Sequence, residues 1–291
     1  MAWHALRAAL AGAETGETAR LPFFVGGCRA GSVAAADLPA LGGWPEALRI
    51  DAHGVSLVAP APAWDATLAL INHALREQGR VRGWRDEPFA LVDPASGRRL
   101  ARIERAAARF WGTLTLGAHA NGYVADRQGR PERLWIAQRA LNKATDPGRF
   151  DNLVGGGVPD GQTPWQALLR EGWEEAGLDA AQMQTARPGR VLRLRRPVPE
   201  GWQVEDLHGY DLALQPGQTP INQDGEVQAF VCLPMAEALA LAAGPTMTVD
   251  AALVTLDFAL RHGLFADEEA AEQARALAPL FAGLAQRDQS P

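Results

Sequence analysis

Apolar and polar positions recur along the chain with two different periods, and those periods predict where helices and strands lie. Over residues 64–78, Trp64, Leu68, Ile71 and Leu75 follow one another at spacings of four, three and four. That is the buried stripe of a helix, closed by Gly79. Short apolar runs bounded by Gly or Pro at 23–25, 55–58 and 89–92 read as strands, with a turn over 93–97. Past Thr113 the strand pattern returns at 122–125 and 134–139, joined by a turn over 126–131, and again at 190–194, 207–214 and 227–233. Helical spacing marks 235–243 and 248–262, the latter ended by Gly263, and a polar, alanine-rich tail over 267–286 reads as a further helix. Residues 1–12 mix His4 and Arg7 into a short amphipathic helix rather than a signal peptide.

Strands and helices in this mixed order predict an α/β (α+β) chain. A sandwich with a mixed sheet is expected over residues 113–291, preceded by a smaller α+β domain over residues 1–112. No Gly/Ser linker separates them, so tight packing is expected.

Composition removes several classes of function. At 291 residues and 47% hydrophobic content the chain can bury a sizeable core. A net charge of −6 gives no basic surface for nucleic acid or an anionic membrane. Lys143 is the one lysine, a bias read as compositional. The longest apolar stretch, 231–243, is broken by Pro234 and Glu237, so no membrane span is expected. Cys28 and Cys232 are far apart and lack metal-ligand spacing, which suits a reducing cytoplasm.

Chemistry concentrates in residues 155–178, GGGVPDGQTPWQALLREGWEEAGL. Thr163 suits an N-cap, Pro164 the first helical position, Gln166 the far end of a capping box, and Gly177 the C-terminal cap. On that helix Glu171 lies three residues before Glu174 and four before Glu175, so the three carboxylates share a face. Like charges at this spacing repel, and the C-terminal turns of a helix disfavour anions. A divalent cation reverses both penalties, and oxygen-only ligands suit Mg²⁺ or Mn²⁺. Gly155, Gly156 and Gly157 precede the helix as a loop whose amides could approach a diphosphate.

The spacing resembles a Nudix box: Gly156, then Arg170-Glu171, Glu174-Glu175 and Gly177-Leu178 in register. The resemblance implies an α/β/α sandwich and a hydrolase of diphosphate linkages. It makes Glu171, Glu174 and Glu175 metal ligands and Glu171 a candidate to take the attacking water's proton. Arg170 is expected to orient Glu174 by an i,i+4 pair. A fourth acid from outside the box is expected at Glu226. Gln162 stands where the box has its first glutamate, so support of the loop is expected to weaken. Gly172 replaces a bulky apolar residue at a cost of about 1 kcal/mol in helix propensity.

Further segments resemble the Nudix subgroup associated with thiamine pyrophosphokinase, which carries an extra N-terminal domain. They are 84–87 (WRDE), 103–107 (IERAA), 119–124 (HANGYV), 147–152 (PGRFDN) and 257–263 (DFALRHG). That resemblance implies thiamine diphosphate, or its oxidised oxo and oxy forms, hydrolysed to the monophosphate. The cationic heterocycle could stack on Trp84 or Trp111, although core packing is the simpler role for Trp84 and His119. The first region either shapes the pocket or mediates a homodimer. Alternatives are another nucleoside-diphosphate Nudix hydrolase, an isopentenyl diphosphate isomerase, and a non-catalytic binding module. The isomerase needs a cysteine where this chain has Gly155, and the intact glutamates argue against a decayed site.

Overall fold

The computed structural model describes residues 3–15 and 20–282. After α1 (His4–Thr15) come β1 (Arg20–Val25), β2 (Cys28–Ala34), the short α2 (Leu38–Leu41), β3 (Leu48–Asp51), β4 (Gly54–Leu57) and α3 (Trp64–Glu77). A hairpin of β5 (Pro88–Val92) and β6 (Arg99–Glu104) leads into α4 (Arg105–Phe110). Strands β1 to β4 form one sheet in the order β2-β1-β4-β3. Its core collects Phe23, Val25, Val55 and Leu57 with Leu68, Ile71 and Leu75 of α3, each buried. The stripe read from the sequence is therefore the packed face of α3, and Gly79 follows it at φ +69°.

The second body is a seven-stranded mixed sheet. It contains β7 (Leu114–Ala125), β8 (Pro131–Arg139), β9 (Phe150–Asp151), β10 (Val154–Gly157), β11 (Arg187–Val198), β12 (Gly201–Ala213) and β13 (Val227–Pro234). The main order is β11-β12-β7-β8-β13, with β10 antiparallel on β7, β9 on β8, and the β12–β7 pair parallel. Strands β7 and β12 are longer than their apolar runs predict, because Gly and polar residues continue the ladder beyond them.

Helices cover both faces. On one side α5 (Pro164–Ala176) and α6 (Ala180–Met183) pack Ala167, Leu168 and Met183 against Ala118, Ala120 and Leu212. On the other, α7 (Met235–Ala243), α8 (Val249–Arg261) and α9 (Asp267–Leu277) cover Leu134, Ile136, Leu194 and Leu207. This is the expected α/β/α sandwich. Helix α1 precedes the small sheet in sequence, yet its Ala5, Leu6 and Ala9, with the adjoining Trp3, join the sandwich core beside Leu192 and Val249. The far end of the expected tail helix, residues 283–286, lies outside the described residues, as do Met1 and Ala2. Among the described residues no helix is long and apolar enough to cross a membrane.

Candidate active site

Helix α5 starts and stops on local chemistry. The Thr163 hydroxyl accepts from the Gln166 amide at 3.2 Å, and the Gln166 side chain accepts from the Thr163 amide at 2.9 Å, the full capping box. At the other end Gly177 turns left-handed at φ +65° while its N–H reaches the Trp173 carbonyl at 2.9 Å.

The buried face of α5 contains Ala167, Leu168, Glu171, Gly172 and Glu175. Two carboxylates thus occupy positions where an amphipathic helix normally puts apolar side chains, Glu171 at 8% exposure and Glu175 at 5%. Both face β10. The Gly155 N–H donates to Glu175 Oε2 at 2.8 Å, and a Cβ on Gly156 would overlap the Glu171 carboxylate. Gly156 is needed here for the close approach of a side chain.

That geometry corrects the reading of residues 155–157 as an open loop. They form the end of β10, paired with His119, Ala118 and Gly117 of β7, and the Gly155 amide is already engaged by Glu175. A strand replaces the loop because the β7 edge is long enough to pair with it, which satisfies backbone groups that a loop would leave open.

Burial sets the charges. Desolvation pushes the Glu175 carboxyl up to about 8, Glu171 and Asp151 add to the rise, and the Gly155 N–H and Lys143 oppose it. Desolvation also raises Glu171, with Arg170 and Arg105 opposing and Glu174 reinforcing it. Arg170 forks between two of the acids, Nη1 to Glu174 Oε2 at 2.6 Å and Nη2 to Glu171 Oε1 at 2.8 Å. The expected i,i+4 pair is present, and it includes Glu171 as well.

The three glutamates share one helix but sit in two environments, Glu171 and Glu175 inside and Glu174 at the half-exposed edge. Among the described residues no three His, Cys, Asp or Glu side chains form a ready-made cation cluster. The donor set nevertheless fits a hard divalent ion. It offers oxygen only, and it holds two buried carboxyls whose ionised forms Arg170 and Lys143 only partly offset.

Glu226 is brought to the same end of α5 by its loop. The Ile221 and Gln223 amides donate to the Ala176 and Glu174 carbonyls at 2.9 Å each, closing the helix end. The Glu226 carboxylate itself pairs with Lys143, and its other oxygen lies 4.0 Å from Arg85. Burial and Arg139 bring the Lys143 ammonium down to about 8, with Glu175 opposing. Lys143 therefore links Glu226 electrostatically to Glu175. Composition alone hides this, because one lysine among many arginines looks like bias.

Behind β10 lies a buried polar network. Asn152 Nδ2 donates to Asn121 Oδ1 at 2.9 Å and Thr255 Oγ1 at 3.1 Å, and its Oδ1 meets His119 Nδ1 at 3.1 Å. Arg139 pairs with Asp151 at 2.8 Å. His119 is thus a satisfied interior residue that fixes the strand. Trp111 is fully buried, with its Nε1 on Asn72 at 2.8 Å, which overturns it as a stacking platform. Trp84 carries Arg76 over its ring at 4.9 Å and His73 at 4.6 Å. With Asp86, Asn142, Lys143 and Glu226 it borders a cleft of about 690 Å³. Cys28 and Cys232 are free thiols on β2 and β13, so neither stands at Gly155.

Two family matches divide the chain, a domain of unknown function (DUF4743) over residues 3–115 and the NUDIX domain over residues 115–251. Nudix hydrolase 24, chloroplastic, of Arabidopsis thaliana is 35% identical over 69% of this chain and 55% of its own length. Nudix hydrolase 20, chloroplastic, of the same plant is 34% identical over 67% of this chain and 52% of its own. The chain thus spans about half the length of the curated relatives it matches. The crystal structure of DR0079 from Deinococcus radiodurans is 26% identical, with a TM-score of 0.46, covering 59% of this chain and 99% of that one. With its box in register on α5 and the NUDIX domain spanning residues 115–251, the chain belongs to the Nudix superfamily.

Proposed function

We propose that this chain is a divalent-metal-dependent hydrolase that cleaves a diphosphate linkage by attack of water on phosphorus. The observation that carries the proposal is the buried Glu171–Glu175 pair packed against Gly155 and Gly156, an arrangement that costs stability unless a cation shares it. Glu171, Glu174 and Glu175 would hold Mg²⁺ or Mn²⁺, with Glu226 as the outer acid. When bound, the ion neutralises phosphate oxygens, stabilises the leaving phosphate and acidifies water. Glu171, raised by burial, is the group to take the water's proton. Arg170 keeps Glu171 and Glu174 in position through its fork.

The substrate in this proposal is thiamine diphosphate or an oxidised relative, released as the monophosphate and inorganic phosphate. Its support is the order of the subgroup-like segments in both halves of the chain, with Trp84 on the cleft wall beside Glu226. Residues 1–112 would act as the substrate-shaping domain and 113–291 as the hydrolase domain, and a homodimer and a reducing compartment belong to the same reading. The test is kcat/KM across thiamine diphosphate, its oxidised analogues, ADP-ribose, nucleotide sugars and dinucleoside polyphosphates. Thiamine compounds should lead. A nucleotide ahead by about tenfold, or 1.4 kcal/mol of transition-state binding, ends the thiamine assignment and leaves the hydrolase assignment standing.

A further inference from the structure

The glycines of β10 leave a question of recognition, because the Gly155 amide is spent on Glu175 and the strand on β7. A phosphoryl group needs donors from elsewhere. A cavity of about 240 Å³ is lined by Arg82, Arg85, Arg105 and Arg109, with Thr145 at its wall and Glu200 as the one acid among the described lining residues. Its charge is poorly balanced. Glu200 pairs with Arg109 at 3.4 Å, and Glu87 takes Arg105 at 2.8 Å. Arg85 lies 4.0 Å from Glu226, already held by Lys143, and among the described residues the Arg82 side chain donates only to the Gly79 carbonyl at 3.3 Å.

Arg85 is half-buried and shares the cavity wall with Arg105 and Arg109. Cations gathered in a concave, half-buried place are stabilised by an anion, and guanidinium forks match phosphoryl oxygens two at a time. The cavity also adjoins the box. A Cβ on Gly157 would lie 3.4 Å from Arg105 Cζ.

We propose that Arg85, Arg105 and Arg109, all from the segment before the NUDIX domain, form the pocket that grips a phosphoryl group of the substrate. The inference rests on the diphosphate reading for the identity of that group, and it assigns phosphate recognition to these arginines in place of the glycine amides. Residues 84–110 thereby complete the site that α5 begins.

The test is calorimetric titration of the full chain with inorganic pyrophosphate in chelator, so that neither metal nor turnover contributes. Wild-type protein should bind, and Arg85→Ala and Arg109→Ala should each weaken binding about tenfold, the scale of one lost charge-assisted contact. Arg85→Lys should recover part of the loss, and Arg127→Ala, in the exposed 126–131 turn, should change nothing. With metal and substrate, Arg85→Ala should raise KM about tenfold and leave kcat within about twofold. Pyrophosphate binding equal in wild type, Arg85→Ala and Arg109→Ala, or none in wild type, overturns the pocket. Binding that depends on the arginines in a protein that cleaves no diphosphate overturns the hydrolase reading alone.

Discussion

Glu175 shows what the site requires of a single residue. It is buried against β10, one α-helical turn from a second buried carboxylate, and receives one backbone N–H at 2.8 Å. Glu175→Gln keeps the size and the Gly155 hydrogen bond and removes a carboxyl that burial forces either to take up a proton or to carry a disfavoured charge beside Glu171. The metal-free variant should therefore melt above wild type by roughly 2–4 °C, the shift expected per kcal/mol in a domain of this size. Differential scanning calorimetry with and without Mg²⁺ checks this. Mg²⁺ should raise the wild-type transition and leave the variant's unmoved, and a variant that melts well below wild type in chelator would mean that the charge is structural. The box residues were legible in the sequence because their spacing alone puts them on one helix face. The depth at which Glu171 and Glu175 sit was not, since only tertiary packing decides which part of that face meets β10. The pairing of Lys143 with Glu226 escaped for the same reason, because packing alone joins residues so far apart in sequence.

Helix α5 carries the two departures from the box, and the structure gives them different weights. A Cβ on Gly172 would stand 2.6 Å from Met183 Sδ, and Met183 is fully buried on α6. Met183 thus fills space that a larger side chain at 172 would take, and Gly172 permits the close packing of α6. Gly172→Leu should cost about 1–3 kcal/mol by overpacking, and adding Met183→Ala should return most of it. Denaturant unfolding of the two single variants and the double variant measures this coupling, and simple additivity would contradict it. Gln162 Oε1 is buried with no hydrogen-bond partner among the described residues, consistent with weakened loop support at that position.

Helix α8 and the residue after it are tied to β12 through Asp211, which accepts from Arg261 and meets His262. Burial raises the Asp211 carboxyl, but hydrogen bonds from Arg261 and His262 outweigh it and hold it below the ordinary aspartate value. A depressed carboxyl contributes stability that is complete above its unfolded-state value, about 3.9, and is lost as pH falls through the folded value. Unfolding free energies measured from pH 6 downward should therefore drop less steeply in acid for Asp211→Asn than for wild type. Equal slopes would deny the α8–β12 ion pairs that role. Capped, periodic helices such as α3 and α8 could be read directly from the sequence. Strand β2 and the full lengths of β7 and β12 could not, because pairing partners rather than local periodicity extend them.

At the scale of the molecule, the chain folds back on itself. Helix α1 crosses the small sheet's place in sequence to seal the sandwich, where Trp3 is 2% exposed and meets Phe265 edge-on at 6.3 Å. Trp3→Ala should destabilise the protein by about 3–5 kcal/mol, far more than a surface position would. Arg99 and Arg102 of β6 pair with Asp160 at 2.7 and 3.1 Å, holding the hairpin against the entry to α5. The segment matched by the first family thus packs against the NUDIX domain. Metal binding by the buried carboxylates of α5 for diphosphate cleavage is measured by phosphate release from a diphosphate substrate. Wild type and Glu175→Gln are compared in chelator and after Mg²⁺ is restored. Turnover should be absent in chelator and recover fully in wild type, with at least about a 10²-fold deficit in folded Glu175→Gln, several kcal/mol of transition-state stabilisation. Turnover that survives chelation, or a Glu175→Gln rate equal to wild type, would contradict metal binding there.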